Sequence, residues 1–355
     1  MTTTISEAQQ VVPVLYPKDN TLVGKKVNVV LDPMGAPVFQ LAVGKTVYPV
    51  VDTSTGAHAL QGVELEPGYN TITVKVLDPL SEKTAGKDKK NYKVLAWRAI
   101  RVFNADGVIP PLPAGFRREP FHTRDRESTC SSCHNLEAKL QDFSREKPEN
   151  VLCYACHRNI PQGKNVHGPA AVWNCLACHN PDLYPAKYAF SSADPWKTTK
   201  NTQADETMSV PSASGGKEHP RESDQRALKK NSYTVKDACL KCHETVLKGQ
   251  FKHGPAEVGY CTLCHDPHAS PNPGWLRKPT WDLCTTCHRD KGSGVHVLVG
   301  FTNGTHPTGN VPDPVRPGRN LTCSSCHNPH SAESRQLIIF DMRTRLDLCN
   351  VCHKK

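Results

Sequence analysis

The chain has 355 residues, with 44 Lys and Arg against 34 Asp and Glu, for a formal net charge of +10. No stretch approaches the roughly 20 apolar residues of a helical membrane span. No aromatic–basic recognition motif accompanies the charge, which argues against nucleic-acid binding. The unusual part of the composition is its sixteen cysteines and seventeen histidines.

Residues 1–104 contain no cysteine and one histidine, His58. They hold seven short runs rich in β-branched residues, at 11–17, 25–33, 37–43, 45–52, 58–66, 69–79 and 91–104. Gly, Pro, Asn and Asp turns separate the runs, which predicts a small antiparallel β-sandwich, with an up-and-down barrel as the alternative. The string LEPGYNTITVKVLD (65–78) resembles the late-strand signature of bacterial immunoglobulin-like domains. Residues 105–121 are proline-rich and read as a stiff, extended linker.

From residue 122 to 355 the character changes. Cys-x-x-Cys-His occurs eight times and uses every cysteine: Cys130/Cys133, Cys153/Cys156, Cys175/Cys178, Cys239/Cys242, Cys261/Cys264, Cys284/Cys287, Cys323/Cys326 and Cys349/Cys352, here motifs 1 to 8. Cysteines at i and i+3 share one face of a helical turn, and each can add to a haem vinyl group. The histidine at i+4 lies on that face and puts a nitrogen under the iron. The motif is the attachment site of a c-type haem, so eight covalently bound haems are expected. Zinc ribbons and redox dithiols also use Cys-x-x-Cys, but neither requires a histidine after every second cysteine.

The proximal ligands are then His134, His157, His179, His243, His265, His288, His327 and His353. Outside the β region eight histidines remain for the eight distal positions: His122, His167, His219, His253, His268, His296, His306 and His330. His122, His167 and His253 each stand eight residues before a motif. His268 and His330 follow a proximal histidine by three residues, so the macrocycle blocks their own iron and they should serve a neighbouring haem. His219, His296 and His306 have no repeat spacing behind them. His58 reads as surface or strand decoration, though it could serve a neighbouring chain. Only Met208 and Met342 offer a thioether in this region, and neither is needed. Bis-histidine iron is expected throughout: low-spin, low-potential and closed to substrate.

Strand and helix periodicity is poor in this region, with about 29 residues per haem over its 234 residues. The expected fold is loop-rich, with short helices wrapped round stacked haem pairs that serve as the core. A repeat is visible: a motif, then His-Gly-Pro ten residues on, then the next motif eight residues after that histidine. Residues 182–232 interrupt it with a polar insertion, expected to be irregular.

The His-Gly-Pro…CxxCH and CxxCHxPH strings resemble the doubled-CxxCH multihaem cytochromes, which include periplasmic carriers, outer-membrane conduits and subunits of extracellular cytochrome filaments. The resemblance covers residues 122–355. It implies long-range electron transfer by a chain of bis-histidine haems, and polymerisation if the filament members are the right comparison. The N-terminal β region departs from that pattern.

Haem attachment to this motif takes place outside the cytoplasmic membrane, so the protein should be exported. MTTTISEAQQ lacks a basic start and an apolar stretch, so the signal is expected to have been processed away or to lie upstream. Counting about −1 per ferric and −2 per ferrous haem with ionised propionates, the charge becomes about +10 − 8 = +2 oxidised and +10 − 16 = −6 reduced. Much of the basic charge therefore offsets propionates.

The expectation is an electron carrier rather than an enzyme, extracellular and filament-forming. Its expected partners are other copies of itself, redox cytochromes or an outer-membrane conduit, and an acceptor such as a metal oxide. Two alternatives stay open. One is a soluble periplasmic shuttle. The other is an octahaem reductase of the nitrite, hydroxylamine or tetrathionate type, with one haem left open.

Overall fold

The structure is a computed structural model that describes residues 12, 14–32, 38–53, 58–78, 83–85, 89–108, 111–131, 134–139, 141, 143–183, 187, 188, 190, 234–293, 296, 297 and 306–353. The chain divides into two compact units, Met1–Ile160 and Pro161–Lys355.

The first unit begins with twelve strands: β1 Val14–Tyr16, β2 Thr21–Val23, β3 Lys26–Leu31, β4 Val38–Val43, β5 Thr46–Val47, β6 Val51–Asp52, β7 Ala59–Glu64, β8 Gly68–Leu77, β9 Lys83–Ala85, β10 Lys89–Asn91, β11 Val94–Asn104 and β12 Arg117–Arg118. β1, β3 and β7 make a three-stranded antiparallel sheet. A second sheet runs β12-β2-β11-β8-β4-β5, with β6 also on β4. Its β2 pairs parallel to both β11 and β12, and the other pairs are antiparallel. β9 and β10 form a separate hairpin.

Period-two patterning explains the core. On β8, Ile72, Val74 and Val76 point inward, and on β11 Ile100 and Val102 do the same. With Val27, Val29 and Leu31 of β3 and Phe39 and Leu41 of β4 they fill the space between the two sheets. Each such side chain contributes roughly 1.5–3 kcal/mol on burial. Two sheets around one core make a sandwich rather than a closed barrel. The buried Asn104 closes it: its amide donates to the Leu65 carbonyl at 3.1 Å and its oxygen accepts from Asp106 N–H at 3.0 Å.

The described residues of the proline-rich segment turn at Asp106–Gly107 and Ala114–Gly115 before a short strand, and they are not a free spacer. Arg117 and Arg118 pair with Thr21 and Leu22. Phe116 joins an edge-to-face cluster with Tyr69 and Phe103, and Phe121 packs on Tyr16 at 5.6 Å. Motifs 1 and 2 follow within the same unit. β3 holds motif 2 directly: Lys26 Nζ donates to the Asn159 carbonyl at 2.5 Å, and Asn28 Nδ2 to the Cys156 carbonyl at 2.7 Å. A boundary drawn at residues 104–122 from composition therefore differs from the compact unit, which continues to Ile160.

The second unit is built of short turns. Its described helices run to six residues or fewer until the last, Arg345–Cys352. Two two-residue ladders recur: β13 Asn165–Val166 with β15 Ala269–Ser270, and β14 Phe251–Lys252 with β16 Ser331–Ala332. Few apolar side chains are buried among its described residues, chiefly Trp173, Leu183, Ala238, Leu321 and Ile338. Residues 191–233, which hold most of the polar insertion with Met208 and His219, lie outside the described residues, as does Cys133. No described helix is long and apolar enough to cross a membrane.

Candidate haem centres

Motifs 2 to 8, which are described throughout, each fold into one helical turn. In all eight, the proximal histidine N–H donates to the carbonyl of the first cysteine, at 2.8–3.0 Å. In motifs 2 to 8 that bond places the two cysteines and the histidine on one face, as the spacing requires. Three motifs are fixed from upstream by capping boxes: Thr234 with Asp237, Thr322 with Ser325 and Thr344 with Asp347. Asp313 braces motif 7 further. It accepts from Ser325 Oγ at 2.7 Å and from Arg316 at 3.0 Å, and Arg316 also reaches the Ser325 carbonyl at 3.3 Å.

The distal candidates are presented by two local devices. His167 and His253 sit in extended conformation at the start of Gly-Pro turns, Gly168–Ala171 and Gly254–Glu257, because proline at the second helical position fixes the turn. His268 and His330 follow the string Cys-His-Asx-Pro. Asp266 Oδ1 accepts from His268 N–H at 3.1 Å, and Asn328 Oδ1 from His330 N–H at 3.0 Å. The two devices are tied together. His167 N–H donates to the His268 carbonyl and His253 N–H to the His330 carbonyl, both at 3.0 Å, continuing the ladders β13–β15 and β14–β16.

The rings then meet in pairs. His122 faces His157 at 6.1 Å between ring centres, His167 faces His243 at 6.0 Å, and His179 faces His268 at 6.2 Å. His253 faces His288 at 6.1 Å, His265 faces His330 at 5.8 Å, His296 faces His327 at 6.5 Å, and His306 faces His353 at 6.4 Å. Two imidazoles bound through nitrogen at about 2.0 Å to one metal would have centres about 6 Å apart. All seven separations fit that span. Every pair joins a proximal histidine to one of the distal candidates.

His134 is the remaining proximal histidine, and no described histidine ring faces it. Its expected partner, His219, lies outside the described residues. The repeat shows a difference here. In motifs 5 and 7 the Cys-His-Asx-Pro turn presents His268 and His330, each facing the proximal histidine two motifs earlier. In motif 3 the same turn, with Asn180 Oδ1 accepting from the next amide but one at 2.9 Å, presents Asp182. His58 lies apart, 4.0 Å from Asp32 in the β-sandwich.

Ring protonation is set from behind. In motifs 3, 5 and 7 the proximal Nδ1 meets a carbonyl nine residues on: His179 with Tyr188 at 2.9 Å, His265 with Gly274 at 2.8 Å and His327 with Gln336 at 2.8 Å. A carbonyl only accepts, so Nδ1 carries the proton and Nε2 keeps its lone pair for iron. Left-handed residues make the return: Tyr188, Gly274 with Trp275, and Leu337. Distal His167, His253 and His296 bond the carbonyls of Pro267, Pro329 and Lys291. Burial, and then the charge of the facing ring, holds these three and His330 below the usual imidazole range, which favours the neutral, ligating form.

The thiols of consecutive motifs also lie close. Cys239 hydrogen-bonds Cys261, and Cys284 hydrogen-bonds Cys323, which lowers Cys261 and Cys323 to about 7. Burial raises Cys156, Cys178, Cys264 and Cys326, with added repulsion from Cys130, Cys242, Cys287 and Cys352 respectively. Attachment points therefore neighbour one another in chain order, from motif 1 to 2 and from motif 3 through to 8. Sequence spacing alone carried no signal for this order.

A family model, the doubled CXXCH motif, matches residues 120–162, 253–293 and 313–355. The chain is a multihaem c-type cytochrome. Haem c is its covalently bound cofactor, supplying a one-electron Fe(III)/Fe(II) couple at each centre. A curated relative, the multiheme cytochrome MtrA of Shewanella baltica (strain OS185), is 24% identical over 207 residues. The match spans 58% of this cytochrome and 46% of that relative, less than half its length. Among solved structures, fibronectin(III)-like modules of Clostridium thermocellum CbhA share 13% identity, covering 27% of this cytochrome and 96% of theirs, with a TM-score of 0.20. A score that low carries no argument, and the sandwich rests on its strand pairings.

Proposed function

We propose that this cytochrome carries electrons over a distance through eight haems that follow one another in chain order. The observation that carries the reading is the set of seven facing histidine pairs, 5.8–6.5 Å apart. An iron held between two imidazoles has no coordination position left for a substrate, and its geometry changes little on reduction. His122, His167, His253, His268, His296, His306 and His330 are the distal ligands in this reading, and His219 supplies the eighth. The neighbouring thiols of consecutive motifs support connected centres within each unit, motifs 1 and 2 in the first and motifs 3 to 8 in the second, rather than isolated ones.

The chemistry of attachment supports a location outside the cytoplasmic membrane. In the extracellular form of the reading, copies polymerise into a filament that takes electrons from redox cytochromes or an outer-membrane conduit and delivers them to an acceptor such as a metal oxide. The periplasmic shuttle is the monomeric form of the same chemistry. Cryo-electron microscopy of the protein as secreted by its native host separates the two: ordered filaments with haems close across each subunit boundary, against discrete particles.

The octahaem reductase has one observation on its side. The turn of motif 3 presents Asp182 where its counterparts present histidine, so the repeat assigns no histidine from that turn to the His134 haem. Electron paramagnetic resonance of the oxidised protein decides. Eight low-spin ferric haems support the carrier, and one high-spin haem supports the reductase.

A further inference from the structure

His122 Nδ1 lies 3.1 Å from Glu127 Oε1, within hydrogen-bond reach of a carboxylate. The Nδ1 atoms of His179, His265 and His327 meet backbone carbonyls, and His268 Nδ1 lies farther from its carboxylate, 3.7 Å from Asp266 Oδ1. The Glu127 side chain is only 8% exposed, and it sits on the helix Arg124–Ser131 that leads into motif 1. The site is built. Phe121 packs edge-on to His122 at 5.5 Å, and the neighbouring Arg126 is engaged by Glu119 and the Pro120 carbonyl.

A carboxylate accepts a hydrogen bond more strongly than an amide carbonyl, and a dry setting strengthens it further. The imidazole behind that bond gains anionic character and becomes a better donor to iron. A better donor, together with a fixed negative charge nearby, stabilises Fe(III) over Fe(II) and lowers the reduction potential.

We propose that Glu127 is a positioning residue that holds the haem shared by His122 and His157 at a lower potential than a backbone carbonyl in its place would give. The centre beside motif 1 is then among the last to be filled. It passes its electron readily to any neighbouring centre of higher potential, which suits a site that receives from a strong reductant.

The inference rests on His122 and His157 sharing one iron, and the experiment separates the two claims. In the full holoprotein, His122→Ala should convert one of eight haems to a high-spin ferric signal. No such signal would remove the pair and the inference with it. With the pair established, Glu127→Gln keeps the side chain's shape and an accepting oxygen but removes the charge. One eighth of the reduction amplitude should move to higher potential, and one low-spin set of g values should change, while the rest overlay the parent protein. Glu127→Asp keeps the charge at shorter reach and should move the same eighth by less. It decides the matter if Glu127→Gln does not mature with its haems. A potential and g values that stay fixed in whichever variant matures, even with a lowered Tm, would overturn the proposal and leave Glu127 a structural role only.

Discussion

The backbone amide of His167 donates to the backbone carbonyl of His268 at 3.0 Å, although the two rings face different proximal histidines. One hydrogen bond thus fixes two candidate centres against each other, that of His243 and that of His179. The bond between His253 and His330 repeats the arrangement for His288 and His265. Because the link runs through the main chain, a side-chain substitution at either histidine should spare the other centre.

His268→Ala should therefore open a single iron. The oxidised variant is expected to show one high-spin ferric haem in paramagnetic resonance and seven unchanged low-spin haems. His268→Met should restore a low-spin state at a raised potential, since thioether ligation favours the reduced iron.

Gly249 has no room for a side chain. A Cβ there would lie 2.6 Å from the Ala332 nitrogen, on the ladder that precedes His253 and His330. Gly249→Ala should cost roughly 1–3 kcal/mol through the backbone shift it forces. Thermal unfolding measures the loss, and the His265 and His288 centres should be the ones whose spectra change.

Asp313 is buried, and bonds from Ser325, Val315 and Arg316 hold its carboxyl below the usual carboxylate range. A lowered folded value means the stabilisation is fully present above the unfolded pKa and is lost as pH falls through the folded one. Acid titration of Tm should show that loss beginning as pH falls into the ordinary Asp range and becoming complete only below the lowered folded value. Asp313→Asn should lower stability at neutral pH by roughly 1–3 kcal/mol and flatten this part of the acid limb.

Asn28 and Lys26 make the β-sandwich part of a haem centre's support. Asn28→Ala should cost about 1 kcal/mol and alter the g values of the His157 centre. Deleting residues 1–104 should likewise disturb that centre. A redox titration of the truncated protein that overlays the full chain would contradict this.

Much of the β region was legible in its alternation. Five of the seven sequence runs contain the strands β1, β3, β4, β7 and β11, the run at 69–79 covers all of β8 but Gly68, and the run at 45–52 splits into β5 and β6. The two-residue strand β12 was not legible, because a proline-rich segment gives no sign that its two arginines will pair with β2. Local spacing also identified the proximal histidines, since a covalent motif closes within one helical turn. The ring pairs were not legible one by one. His296 and His306 have no repeat spacing, yet they stand opposite His327 and His353.

The sequence by itself determined the cofactor chemistry and the pool of ligands, because Cys-x-x-Cys-His and the histidine count are short-range facts of composition and spacing. Only the tertiary structure decided which histidine faces which, in what order the motifs adjoin, and that Glu127 stands behind His122. Those depend on contacts such as His253 with His330, whose partners are brought together by ladders between residues far apart in the chain. Spacing within a motif carries no trace of them.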